Sequence, residues 1–223
     1  MRIMVYGDSN SWGFPPDGSG LRMGPHIRWP RVMAGKLGCE VVEECLPGRT
    51  TVHDDPELLG PAMNGLAHLP VALKSHCPLD MVLIMLGTND LKARFAPTAE
   101  SLAGNLERLV ECIRTTGAGG GPWATAAPAA VALIVPPPLG PRADDPGWER
   151  FAEWRGGRAV SRRLAGAVAA MGRRCGVPVL DAGKLVAPSR ADPIHLAPES
   201  HPVLGEAVAD WLARQMRIRR VPR

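Results

Sequence analysis

Two short segments at opposite ends of the chain carry side chains that could do chemistry together. Gly7-Asp8-Ser9 follows at once on the apolar run Arg2-Ile3-Met4-Val5-Tyr6, and Asp192-Pro193-Ile194-His195 lies close to the other end. A serine hydroxyl is a poor nucleophile at neutral pH. It needs a base to take its proton, and the base needs a third group to orient it. Ser9 supplies the hydroxyl. His195 supplies the base and carries a carboxylate, Asp192, three residues before it. That spacing lets Asp192 curl back onto its own His and fix the imidazole tautomer. The chemistry this predicts is attack on a carbonyl carbon, with the His returning the proton to the leaving group.

Such a reaction builds negative charge on the carbonyl oxygen, so preorganised donors must meet it. Gly48, in Leu46-Pro47-Gly48-Arg49-Thr50-Thr51, could present a backbone N–H with no side chain in the way. Asn89, in Gly87-Thr88-Asn89-Asp90, could present a side-chain amide, and Ser9 its own backbone N–H. Asn10, Trp12, Phe14, Lys92 and Ile194 neighbour these motifs and are expected in the substrate pocket. Asp8 and Asp90 read as loop-shaping carboxylates rather than acids or bases. His201 has no carboxylate at matching spacing and reads as the opening of the last helix.

The elements that must deliver these residues are legible as alternation. Short apolar runs at 2–6, 40–45, 81–86, 131–135 and 177–180 predict five strands. Met81–Leu86 is continuously apolar, as a parallel strand covered on both faces requires. Leu102, Leu106, Leu109, Val110 and Ile113 form a helical stripe, as do Val203, Leu204, Ala207, Val208, Trp211 and Leu212, with Ser200 as N-cap. Gly176 suits the C-cap of the helix before it. Strands alternating with helices predict an α/β three-layer sandwich, flavodoxin-like, with a central five-stranded parallel sheet. In such sheets ligands bind beyond the carboxyl ends of the strands, where Ser9, Gly48, Asn89 and His195 all fall. The proline-rich stretch from Pro136 to Trp148 is long enough to be functional.

Composition bounds the rest. The chain has 223 residues, 45% of them hydrophobic, enough for one domain with a sizeable core. We expect that domain over residues 1–213 and a basic tail over 214–223. The net charge is +4, but the last ten residues hold five arginines and no acid. The body therefore carries no basic excess, which argues against nucleic acid. No run approaches the roughly 20 apolar residues of a membrane span. The first strand begins at residue 2, so a cleavable leader would take Ser9 with it, and a cytoplasmic location is expected. Five cysteines without a CxxC pair argue against a disulfide framework and a zinc site. His53-Asp54-Asp55 does not read as a metal cluster either.

The blocks Gly7-Asp8-Ser9, Gly48, Gly87-Thr88-Asn89-Asp90 and Asp192-x-x-His195 resemble those of the SGNH (GDSL-type) hydrolases. Ser11-Trp12-Gly13, Arg28-Trp29, Arg49-Thr50-Thr51, Asp54-Asp55-Pro56, Pro136-Pro137-Pro138 and Asp181-Ala182-Gly183 extend the likeness to the bacterial arylesterase/acyltransferase branch. The resemblance covers nearly the whole chain before the basic tail. It implies the SGNH fold, an acyl-Ser9 intermediate, and no metal or organic cofactor. It also implies short-chain ester substrates, transfer of the acyl group to alcohols, and a homo-oligomer that narrows the site entrance. Asn10 departs from the pattern, which has leucine there, and a more polar acyl pocket is expected. The alternatives are a carbohydrate O-deacetylase or thioesterase, or a catalytically silent flavodoxin-like binding module.

Overall fold

The computed structural model describes the backbone of residues 1–220 and the side chains of residues 1–215. Five strands pair in parallel in the order β2-β1-β3-β4-β5: β1 (Arg2–Gly7), β2 (Glu40–Cys45), β3 (Met81–Met85), β4 (Ala130–Val135) and β5 (Val179–Asp181). Alternation along β1 sorts the core into two layers. Ile3 and Val5 face helices α2 (Trp29–Leu37) and α7 (Ser200–Arg220), packing with Trp29, Met33, Leu204 and Val208. Met4 and Tyr6 face α3 (Gly65–His76), α4 (Ala99–Thr116) and α6 (Gly157–Cys175), packing with Leu69, Leu109 and Leu133. β3 is buried at all five positions, as its unbroken apolar run requires.

Helix ends follow local chemistry. Thr98 and Ser101 close a reciprocal capping box at the start of α4, each hydroxyl oxygen accepting the other's backbone N–H at 3.0 Å. The five apolar residues of its stripe are all buried. Gly176, at φ 64°, ends α6 in the left-handed conformation. Ser200 is the first residue of α7 rather than its cap. The last strand begins two residues later than its apolar run, because the Val177 N–H still donates to Gly172 O of α6 at 2.8 Å and Pro178 has no N–H to pair. α7 continues past residue 213 to Arg220. Residues 221–223, and the side chains of 216–220, lie outside the described residues, so of the expected tail only the backbone of 214–220 and the side chains of Arg214 and Gln215 are described.

The strand order reverses direction between β1 and β3, where two adjacent carboxyl ends open a crevice. A four-residue helix, α1 (Ser9–Trp12), springs from β1 there, capped by Asp8, whose carboxylate accepts the Asn10 N–H at 2.9 Å. Gly7 is held to glycine by crowding, since a Cβ would stand 2.4 Å from Ser11 Oγ. Among the described residues no helix is long and apolar enough to cross a membrane.

Candidate active site

The turn after β1 and the loop before α7 bring their chemistry together. Ser9 Oγ lies 3.0 Å from His195 Nε2, and His195 Nδ1 lies 2.5 Å from Asp192 Oδ2. Ser9 and His195 are both buried, while Asp192 keeps some exposure. Asp192 Oδ1 also accepts the Ile194 N–H at 2.8 Å, the curl-back that a spacing of three residues permits. Burial alone would push the Asp192 carboxyl up. The His195 hydrogen bond and charge, with the backbone N–H groups of Ile194 and His195, outweigh it and hold the group below its ordinary value. The Phe14 ring packs on the imidazole, centroids 4.7 Å apart.

Ser9, Gly48, Asn89 and His195 line one cavity of about 690 Å³. Gly48 sits at φ +89°, a backbone conformation that demands glycine. Neither the Ser9 nor the Gly48 N–H meets an acceptor among the described residues. Asn89 Nδ2 donates to Arg49 O at 3.2 Å, leaving its second N–H for another partner. The two loops are braced again at Asp90, which is fully buried. Its two oxygens share the Thr51 N–H at 3.0 Å each, and it accepts the Thr51 hydroxyl as well. Burial raises the Asp90 carboxyl, against these donors. Arg49 Nη1 donates to Glu44 O at 2.5 Å, tying the Gly48 loop to the end of β2.

Asp8 lies beneath the serine, fully buried. Burial raises its pKa to about 6, against the Asn10 N–H, the charge of His195 and Thr88. Phe14, Lys92 and Ile194 line the cavity; Asn10 and Trp12 do not. Asn10 is 1% exposed and spends its amide on backbone. Nδ2 donates to Ile194 O at 3.1 Å and Oδ1 accepts the Leu196 N–H at 2.9 Å, so it does not add polarity to the pocket. Trp12 turns outward under the guanidinium of Arg22, 5.1 Å from its ring centroid.

Lys92 is not a solvated charge. It is 2% exposed, with Nζ 2.6 Å from the fully buried Asp55, which Arg94 also reaches at 2.5 Å. Glu153 joins this network through Arg94 at 3.4 Å and Lys92 at 3.7 Å, and Arg150 pairs with it from outside at 2.9 Å. Lys92, Trp148, Arg150, and Glu153 and Trp154 of α5 (Phe151–Trp154) form a cavity wall of which the motifs pointed only to Lys92. The signal was present in the Pro136–Trp148 stretch, which leaves the carboxyl end of β4 and is pinned over the site. Gly140 N–H donates to Pro193 O at 2.8 Å, and Arg142 donates to Ala191 O at 2.5 Å.

A flavodoxin-like parallel sheet with a buried Ser and His meeting at its switch point defines a class, the α/β ester hydrolases of SGNH type. Residues 5–202 match the GDSL-like Lipase/Acylhydrolase family, and the chain belongs to it, which makes it a carboxylic ester hydrolase. Among solved structures it is similar to an aryl esterase of M. smegmatis (37% identity, 96% of this chain and 98% of that chain, TM-score 0.86). It is also similar to two proteins of Sinorhizobium meliloti. One is a carbohydrate acetylesterase (36%, 96% and 99%, TM-score 0.87), the other a carbohydrate acetylesterase family member (30%, 96% and 97%, TM-score 0.86). No curated protein sequence matches.

Proposed function

We propose that the chain hydrolyses short-chain carboxylic esters, aryl esters among them, through an acyl-Ser9 intermediate. The observation that carries this reading is the 3.0 Å approach of Ser9 Oγ to an imidazole whose other nitrogen faces a carboxylate. In the reading, Ser9 attacks the ester carbonyl while neutral His195 Nε2 takes its proton. Asp192 holds the Nδ1–H tautomer and stabilises the imidazolium. The oxyanion is met by the N–H groups of Ser9 and Gly48 and by Asn89 Nδ2. Return of the proton to the alkoxide or phenoxide releases the alcohol. Water, or a second alcohol, then enters under the same base and frees Ser9. How the acyl-enzyme divides between hydrolysis and transfer follows from how dry the cavity is. The reading treats 1–213 as one domain with a basic extension, needs no metal or cofactor, and has the entrance narrowed by neighbouring copies in a homo-oligomer.

A second reading within the class is deacetylation of carbohydrates. Two observations favour it: the charged rim of Asp17, Arg142, Glu149 and Arg150 around the cavity, and the likeness to carbohydrate acetylesterases. The test is turnover across aryl esters of increasing acyl length, with and without added alcohol, beside acetylated sugars. The first reading expects fastest turnover on short aryl esters and new esters when alcohol is present. Turnover confined to acetylated sugars overturns it in favour of the second, and none on any ester overturns both.

A further inference from the structure

We infer that Asn10 is a positioning residue that sets His195 against Ser9. The inference rests on the Ser9–His195 pair being the reacting pair, and it begins from where the polar groups around His195 find partners. The segment from Ile194 N to Leu196 N carries five backbone donors and acceptors in a buried loop, and each has one. Asp192 Oδ1 accepts the Ile194 N–H at 2.8 Å and, more weakly, the His195 N–H at 3.4 Å. Ser189 N–H donates to His195 O at 2.8 Å. These partners belong to the same loop and can only shape it internally.

The remaining two groups, one on either side of the histidine, go to a single side chain 184 to 186 residues away in sequence. Asn10 Nδ2 donates to Ile194 O at 3.1 Å, and Asn10 Oδ1 accepts the Leu196 N–H at 2.9 Å. A primary amide offers a donor and an acceptor side by side, so it can replace a strand partner for one residue. Here that residue is His195. Asn10 directly follows Ser9 on α1, and its own N–H is fixed by Asp8. Hydroxyl and imidazole are thus referenced to each other through one rigid amide rather than through two loops that drift separately. Among the described residues, the only other hydrogen bond between 8–12 and 188–196 is the Ser9–His195 contact itself.

Reaction rates in such pairs fall steeply with small displacements, since a shift of about 1 Å can cost 10²-fold. An apolar residue of similar size at position 10 would leave the Ile194 carbonyl and the Leu196 N–H without partners in a buried place. The loop would have to move to water or to new partners. Substrate contacts would be untouched, because Asn10 is absent from the cavity wall. The defect therefore belongs in kcat and not in KM.

The experiment uses Asn10→Leu and the near-isosteric Asn10→Asp, which keeps the acceptor for Leu196 N–H and loses the neutral donor to Ile194 O. Folded, competent sites are counted by titration with a chromogenic phosphonate ester, and kcat per titrated site and KM are measured on a short aryl ester. The expected result is a kcat per site at least tenfold lower in Asn10→Leu and at least fivefold lower in Asn10→Asp. KM should stay within twofold, and phosphonylation should slow in parallel. Full kcat at fewer sites, or no competent sites in either variant, makes Asn10 a folding residue and overturns the inference. A phosphonate that leaves Ser9 of the parent protein unlabelled removes the reacting pair on which it stands.

Discussion

Lowering the pH should loosen the packing of α7 through His201. This imidazole is fully buried in the first turn of α7. Its Nδ1 accepts the Trp29 N–H at 3.4 Å, and its Nε2 has no partner among the described residues. Burial, with a smaller contribution from the nearby Arg28 guanidinium, lowers its pKa from 6.5 to about 4. The folded protein therefore refuses a proton that the unfolded chain accepts below pH 6.5. Stability from this residue is complete above pH 6.5, is lost as pH falls toward 4, and changes no further below that. The full loss is about 3 kcal/mol, and by pH 5 about 2 kcal/mol is already gone. With a urea slope of about 2 kcal/mol per molar, that shifts the midpoint by about 1 M. Urea titrations from pH 7.5 to 4.5 on the parent and on His201→Gln isolate the effect, because any pH-independent cost of the substitution cancels in the comparison. The difference between the two proteins should swing by about 2 kcal/mol between pH 7.5 and pH 5, the variant losing less. A difference constant across that range would refute the buried neutral imidazole.

Asp8 should act with the opposite sign. Its folded pKa of about 6 lies above the ordinary 3.8, so its contribution is greatest below 3.8 and is lost as pH rises through 6. Asp8→Asn keeps the N-cap and should gain about 2 kcal/mol on the parent between pH 4.5 and pH 8, read from the same titrations. Asp55→Ala strands the buried Lys92 with only Glu153, 3.7 Å away, in reach. It should cost about 3–5 kcal/mol, a fall in Tm on the order of 10 °C by calorimetry. Asn89→Ala should lower kcat by about 10²–10³ on an aryl acetate with Tm little changed, and a loss under about fivefold would remove it from the oxyanion site.

The centre of the sheet could be read because β3 is apolar on both faces, which leaves the run Met81–Leu86 with no competing helical period. Gly176 was legible because only a residue tolerant of positive φ ends α6 in that way. The motif residues were legible because a parallel sheet sends every strand's carboxyl end to the same rim. Side-chain direction was not. Asn10 adjoins Ser9 in sequence, yet a helix points successive residues about 100° apart, and the amide turns from the cavity to the 194–196 backbone. The burial of Lys92 as an ion pair was not legible, because its partner, Asp55, is 37 residues away on another loop. The wall containing Glu153 and Trp154 depends on how a long proline-rich loop folds back over the site, which no local period encodes.

The central claim is that one hydroxyl, that of Ser9, carries the acyl group. Mass spectrometry of the protein inactivated by a small phosphonate ester tests it directly. A single phosphonyl adduct on the peptide containing Ser9, appearing in step with loss of esterase activity and absent from Ser9→Ala, is the predicted result. An adduct on another residue, or full turnover by Ser9→Ala, would contradict it.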